Sequence, residues 1–308
     1  MTASRAVWAV LAAAILFGTT GTAQALGPTD SSPLSVGAAR LVIGGIALLV
    51  LLPLVGGRRR EALNLWRTPG GLVAGLCTAA YQLAFFAAVE QSGVAVGTLI
   101  AIGSGPVLAG GLGLVLLRER PSPAWVVATA LALVGLVLLV GGGSGAQRVD
   151  ALGIGLALVA AMAYAGYTVL AKQQITAGDH PSTVIAAAFG LGGIVLIPVM
   201  FTGPLGWLGQ PSGPALALYL GLIATTVAYL LFVRGLAVLP AAPVTTLMLA
   251  EPVVATTLGV VVLHEQLSLI SATGVALMLL GLVVQGRGAS QPPEPTAARG
   301  QTTPLPVV

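Results

Sequence analysis

The stretch TTLMLAEPVVATTLG, Thr245 to Gly259, holds one carboxylate, Glu251, in an apolar run whose nearest charged neighbours are Arg234 and Glu265. Insertion scales charge about 2.5 to 3.5 kcal/mol for an acidic residue at the centre of a membrane helix, so something must offset its presence. A carboxyl in such a setting can be held neutral; it then either loads and releases one proton, the step by which a gradient is coupled to transport, or donates to a neighbouring helix as structural glue. Pro252 follows directly. It has no N–H and sets its ring against the Met248 carbonyl, so a helix break is expected there, and another at Pro106.

Polar side chains recur at helical spacing elsewhere. Thr78, Tyr81 and Gln82 share one helix face with Phe85 a turn beyond; Tyr164, Tyr167 and Thr168 form a second stripe, and Thr225, Thr226 and Tyr229 a third. Thr19, Thr20 and Gln24 add a fourth near the amino terminus. A threonine can instead bond its own helix, and a tyrosine can anchor at the membrane interface. Tyr81 and Tyr229 lie several residues inside their runs, where anchoring explains less. A pocket with apolar walls and a few polar directors takes such residues, so Thr20, Tyr81, Gln82, Tyr164, Tyr167 and Tyr229 are candidate substrate contacts. Arg40, in GAARLVIGG, either snorkels to the surface or faces a wet vestibule and pairs a carboxylate-bearing substrate.

The elements that hold these residues follow from composition. The chain has 308 residues, 56% hydrophobic and 7% charged, with a mean hydropathy of +1.00, whereas a soluble domain is about a quarter charged. Ten apolar runs approach the roughly 20 residues that a membrane crossing needs: 5–25, 33–55, 69–89, 93–116, 123–142, 151–172, 181–203, 213–236, 241–263 and 269–285. The chain therefore reads as an all-α integral membrane protein. Its Pro-, Thr- and Gln-rich end, 286–308, has too little apolar content to order itself and is expected to hang free. Arg5, the apolar run after it and AQA at Ala23–Ala25 resemble a signal peptide, but a retained first helix is favoured because the segment has a repeat partner.

Cytoplasmic ends and loops hold Arg5, Arg58, Arg59, Arg60, Arg67, Arg118, Arg120, Lys172, Arg234, Arg287 and Arg299 if the amino terminus is inside; the opposite side holds only Arg148. Basic residues in short loops stay inside, so both termini are expected in the cytoplasm.

The chain also repeats itself. At an offset of 146 positions SGPVLAGGLGLVLLRERPS aligns with AEPVVATTLGVVVLHEQLS, pairing Pro106 with Pro252, Gly113 with Gly259 and Glu119 with Glu265. Gly75 pairs with Gly221, Phe86 with Phe232 and Gly135 with Gly281. Arg40 has Ala188 as its counterpart, and Glu251 has Gly105. Each half holds five crossings. Five is odd, so the second half enters the bilayer from the other side, giving two inverted five-helix repeats, 5–142 and 151–285, around a midplane site.

With these residues the chain resembles the drug/metabolite transporter superfamily and within it the EamA-type transporters, whose halves each carry a Pro, a Glu thirteen residues on and a terminal apolar helix with a central Gly. The resemblance covers residues 5 to 285. It implies a ten-helix carrier in the cell membrane, exporting amino acids or related metabolites by alternating access, with the fifth and tenth helices peripheral. Gly135 and Gly281 would let those two approach closely. Glu119 and Glu265, at helix ends, suit a solvated, capping or intracellular-gate role better than substrate contact.

Other functions fit worse. Lys172, in VLAKQQ, has no Gly-rich approach, which excludes a phosphate-cradling loop; HEQLS lacks the second His of a metalloprotease helix. No catalytic residue, metal or cofactor is assigned. Thirteen scattered Lys and Arg make no nucleic-acid stripe, and the lone Cys77 precludes an intrachain disulfide. The partners expected are the lipid bilayer and a small-molecule substrate, and the sequence leaves open whether two copies pair as a homodimer. A multidrug efflux carrier and an uncoupled facilitator or membrane scaffold stand as alternatives.

Overall fold

The computed structural model describes residues 1–142, 150–203 and 205–290. Arg148, part of the orientation argument, and residues 291–308 of the expected free tail lie outside the described residues. Every regular element among them is helical. This is what the membrane demands of a single chain without a closed barrel, since a helix satisfies its own backbone groups.

Nine helices among the described residues are long and apolar enough to cross a membrane, but one runs 49 residues, Pro69–Leu117. At 1.5 Å per residue it would extend about 70 Å, more than twice the hydrocarbon thickness. It does not run straight. Gly93 has φ 80° and ψ 162°, a conformation open to glycine, and a Cβ placed on Gly97 would stand 3.3 Å from the backbone of Val89. Eight residues of unbroken helix would separate those positions by about 12 Å. The chain doubles back at Gly93, and the crossings among the described residues number ten.

In chain order these are α1 (Ala3–Ala25), α2 (Pro33–Leu51), α3 (69–92), α4 (94–112), α5 (Pro123–Gly141), α6 (Ala151–Thr176), α7 (Pro181–Met200), α8 (Ser212–Val238), α9 (Ala241–Val262) and α10 (Leu269–Ser290). Side chains or loop turns begin several of them. Thr68 accepts from Gly71 N–H ahead of α3, Ser122 from Trp125 N–H ahead of α5, and Asp150 from Leu152 and Gly153 N–H ahead of α6.

Two expectations are corrected. Pro106 lies inside α4 without breaking it; the non-helical residue in that stretch is Gly93. One missing N–H costs a single ladder bond, which a well-packed helix absorbs, whereas a positive φ turns the chain. The expected tail begins too early, because α10 continues to Ser290. Gln285 is buried, and a Cβ on Gly288 would lie 3.1 Å from the Ala124 methyl, so α5 supports this last turn.

The repeat is visible in the backbone. Arg118 and His264, 146 residues apart, are the two described non-glycine residues with positive φ, at 57° and 58°. Each precedes a glutamate whose N–H bonds a glycine carbonyl at 3.1 Å, Glu119 to Gly113 and Glu265 to Gly259. The packing follows the same pairing. A Cβ on Gly135 would lie 2.6 Å from the Gly274 carbonyl oxygen, and one on Gly281 2.7 Å from that of Ala128, so α5 and α10 touch backbone to backbone. They are also the outermost, with 28% and 33% of their spans buried against 61% for α7 and α8.

α2 and α7 meet through glycines as well: Gly45 abuts the Phe189 carbonyl, and a Cβ on Gly193 would lie 3.0 Å from the Leu41 oxygen. The other helices surround this pair. α1 packs on α8, where Gly235 abuts Val10, and its Ala6, Val10, Ala13 and Ala14 have no exposed surface.

Candidate substrate cavity

A cavity of about 490 Å³ opens among α1 to α4 and α6 to α9, of which α1, α3, α6 and α8 carry the polar stripes. All seven candidate contacts, Thr20, Arg40, Tyr81, Gln82, Tyr164, Tyr167 and Tyr229, line it, and so does Glu251. Its lining reaches helix ends at Gln24, Pro33, Val89 and Val94, the side away from the amino terminus. Val94 there is 68% exposed.

Arg40 comes from α2, and α8 orients it. Its Nε donates to Thr225 Oγ1 at 3.3 Å and its Nη2 to the Ala224 carbonyl at 3.5 Å. That carbonyl is available because α8 widens into a π-helical stretch over Tyr219–Val227, where Thr226 Oγ1 bonds the Gly221 carbonyl five residues back. Arg40 thus faces the cavity instead of the membrane surface. It does not reach Glu251: the ion pair among the described residues is Arg58 with Glu61, on the surface.

Glu251 sits where α9 is interrupted. Ala241–Leu247 forms one short helix, Met248 and Leu249 turn, and Ala250–Val262 continues. Glu251 is in the first turn of the second segment, its N–H on the Met248 carbonyl at 2.9 Å. The interruption falls at the Met248 carbonyl, the group that an N–H at position 252 would take in a continuous helix and that Pro252 cannot. Within a first turn, Pro252's absent N–H has no partner to lose, and its fixed φ suits the position. α1 is drawn in close at this point, since a Cβ on Gly18 would lie 2.9 Å from the Glu251 carbonyl oxygen.

The repeat counterpart of Glu251 shows why the two halves differ here. A Cβ on Gly105 would stand 2.9 Å from the Tyr164 ring, so the glycine leaves room for an aromatic wall where the second repeat has an acid. That wall is continuous. Tyr81 and Tyr164 have ring centroids 5.8 Å apart, Tyr164 and Tyr167 5.4 Å, and Tyr167 and Tyr229 6.3 Å. Phe189 closes on Tyr229 at 3.9 Å and Phe17 at 4.8 Å.

The polar groups divide into engaged and free. Tyr167 and Tyr229 share a hydrogen bond between hydroxyls at 3.0 Å, and Thr78 Oγ1 donates to the Ala74 carbonyl at 2.9 Å, the local bond that competes with a ligand role. Thr20 Oγ1 and Gln82 Nε2 are buried and bond no other group of the protein. Buried polar atoms are rarely left so, because an unmade bond costs about 1 to 3 kcal/mol. Both line the cavity, in position to bond a polar ligand.

The other end is sealed by polar ties. Thr129 and Thr246 hydroxyls meet at 2.9 Å, Lys172 Nζ donates to the Leu236 carbonyl at 2.9 Å, and Glu119 Oε2 accepts from Ala241 N–H at 3.0 Å. Glu119 therefore caps a helix, as its loop position suggested. Burial pushes its carboxyl above the usual range, while the Ala241 N–H and Lys172 favour the charged form.

Stripe reasoning missed Phe17, Phe189 and Phe232 as cavity walls. The signal was thin: Phe189 is one of six phenylalanines in the chain and stands among alanines and glycines in IAAAFGLGG. Groups of three or more His, Cys, Asp or Glu able to hold a metal do not occur among the described residues.

Known proteins resemble this chain in sequence and in fold. The chain is 44% identical over 275 residues to the uncharacterized transporter YwfM of Bacillus subtilis (strain 168), covering 89% of this chain and 91% of that one. It is 28% identical over 284 residues to an uncharacterized transporter of Archaeoglobus fulgidus, covering 90% and 97%. A protein of known crystal structure superimposes with a TM-score of 0.77 at 23% identity, covering 92% of this chain and 97% of that chain, which shows a shared fold. The EamA-like transporter family matches residues 4–141 and again residues 151–286. Two matches of one five-helix unit, meeting around a single cavity, are the duplicated architecture read from Pro106, Glu119, Pro252 and Glu265, and the chain belongs to the EamA-like transporter family.

Proposed function

We propose that this transporter exports amino acids or related small metabolites by alternating access, with proton exchange at Glu251 as the coupling step. The observation that carries this is the presence, in one cavity closed at one end, of a cation at Arg40 and an acid at Glu251 that form no ion pair with each other. A zwitterion satisfies both. Its carboxylate would take the free guanidinium donors of Arg40, and its ammonium would lie by Glu251 and the tyrosine faces. Tyr81, Tyr164, Tyr167 and Tyr229 would bound the side chain, and Thr20 and Gln82 would direct polar atoms. Residues 5–142 and 151–285 would be the two halves that rock about this site.

Basic residues at the end that holds the amino terminus, Arg5, Arg58 to Arg60, Arg118, Arg120 and Arg287, support cytoplasmic termini. The cavity mouth then faces outward, and the state described is the one in which an exporter releases substrate and takes up a proton. The ring wall favours one second reading, efflux of amphipathic cations, whose charge would sit on tyrosine faces. Counterflow in proteoliposomes with a panel of amino acids and aromatic cations separates them. Saturable flux of a zwitterion that responds to an imposed pH difference supports the first reading; flux of cations alone supports the second. A pH-insensitive flux makes the chain a facilitator.

A further inference from the structure

The two loop carboxylates of the repeat have the same backbone and different partners. Glu119, after left-handed Arg118, is half-buried, and its Oε2 accepts from Ala241 N–H at 3.0 Å. That bond ties the loop between α4 and α5, in the first repeat, to the start of α9, in the second. It lies at the sealed end, where Lys172 Nζ holds the Leu236 carbonyl at 2.9 Å. Glu265, after left-handed His264, is exposed, and its side chain makes no hydrogen bond or ion pair among the described residues. It folds back against Gly259.

The offset that relates the glutamates also relates their partners. Ala241 minus 146 positions is Ala95, likewise an alanine in the first turn of a helix, two residues past the reversal at Gly93. Its neighbour Val94 lines the cavity mouth. The closed end therefore has its glutamate engaged, and the open end has the equivalent glutamate disengaged. In an inverted repeat the second access state is the first with the halves exchanged.

We propose that Glu119 and Glu265 are alternating latches: the Glu119 bond to Ala241 holds the far end shut in this state, and a Glu265 bond to Ala95 N–H closes the mouth in the opposite one. The inference rests on the alternating-access reading. Each glutamate is a positioning residue, acting on helix starts and never on substrate. Conversion exchanges one charged-to-backbone bond for another, so with both latches present their contributions to the balance of the two states offset each other. Removing one shifts that balance about tenfold or more, as loss of a charge-assisted bond does.

The test reads mouth accessibility without substrate. With Cys77→Ala as background, Thr98→Cys places one thiol on the mouth lining, and an impermeant maleimide reports how often it is open. Glu119→Gln, which keeps an acceptor oxygen but not its charge, is expected to slow labelling several-fold, and adding Glu265→Gln to restore it. A structural defect would not be repaired by a second loss. A cysteine pair at Ala95→Cys and Glu265→Cys, made in the Glu119→Gln chain, is expected to cross-link under oxidation and abolish labelling until reduced. Unchanged labelling in Glu119→Gln, no restoration in the double variant, or a pair that never cross-links overturns the latch. Flux without these shifts overturns the latch alone; paired shifts in a chain that moves no metabolite overturn the carrier reading and leave the latch standing.

Discussion

Removing the charge of Arg40 separates a substrate anchor from a structural cation, because the protein itself holds this side chain weakly. A guanidinium has five N–H donors, and Arg40 uses two, at 3.3 Å to Thr225 Oγ1 and 3.5 Å to the Ala224 carbonyl, both at the long end of the hydrogen-bond range. Three donors remain on a side chain that lines the cavity. Arg40→Leu should therefore cost little stability: Thr225 can turn to its own helix, and the Ala224 carbonyl loses only a 3.5 Å contact. A carboxylate on the guanidinium is a different matter. A hydrogen bond to a charged group contributes about 1.5 to 3 kcal/mol, which at one bond lost raises KM roughly 10- to 160-fold.

The assay compares each transported amino acid with its amide in proteoliposomes carrying the parent or Arg40→Leu chain. The variant should lose affinity for the acid while handling the amide as the parent does, with an unchanged Tm in detergent. An equal loss for acid and amide would mean that Arg40 shapes the cavity without touching a carboxylate. Unchanged KM for both would remove Arg40 from the site.

Three further outcomes follow from the geometry. Glu251→Gln keeps the size and polarity of the side chain but carries no titrating proton; pH-driven flux should vanish while gradient-free counterflow persists, and pH dependence equal to the parent's would exclude Glu251 as the coupling group. Gly135→Val puts a methyl-bearing carbon where a Cβ lies 2.6 Å from the Gly274 oxygen, forcing α5 and α10 apart at a cost of about 1 to 3 kcal/mol, read as a lowered Tm. Gly141→Ala on the same helix, with nothing within 4 Å, should leave Tm unchanged. Gly93→Val forces a β-branched residue into φ 80°, ψ 162°, a strain of about 1 to 3 kcal/mol that should lower Tm, and an unchanged Tm would refute the reversal there.

The spans were legible because lipid imposes one rule on every crossing, apolar length, and composition reports it directly. The reversal at Gly93 shows the limit of that rule. Apolar content runs through it with little change, and only a backbone angle turns one 49-residue segment into two crossings. The repeat was legible through spacing. Pro106 with Pro252 and Glu119 with Glu265 predicted a shared turn, and the matched angles at Arg118 and His264 are its physical form. Proline was the weaker guide to helix breaks. Pro106 sits in a continuous helix, whereas the interruption at Met248 and Leu249 falls at the carbonyl that Pro252 leaves without its usual donor.

Polar stripes on four separate helices indicated a common cavity, since lipid would leave such faces unsatisfied, but they named only the residues that carry hydroxyls and amides. Phe17, Phe189 and Phe232 were hidden because an aromatic ring is equally at home in lipid, in a helix interface or in a pocket wall. Arg40 was left between two readings for a related reason. A long side chain reaches about as far toward the surface as toward the bundle axis, and its direction depends on how α8 presents Thr225 and Ala224.

From the sequence alone came the membrane solvent, the ten crossings, the twofold repeat and the isolation of Glu251, because each is a property of one segment or of two compared at a fixed offset. The tertiary structure decided which faces meet. It set Arg40 and Glu251 in one cavity without an ion pair, joined the tyrosines into a wall, and engaged Glu119 while leaving Glu265 exposed. Those facts depend on the rotation of each helix about its own axis, and glycines at which a Cβ would come within about 3 Å of a neighbouring helix fix that rotation where hydropathy, being uniform around an apolar helix, does not.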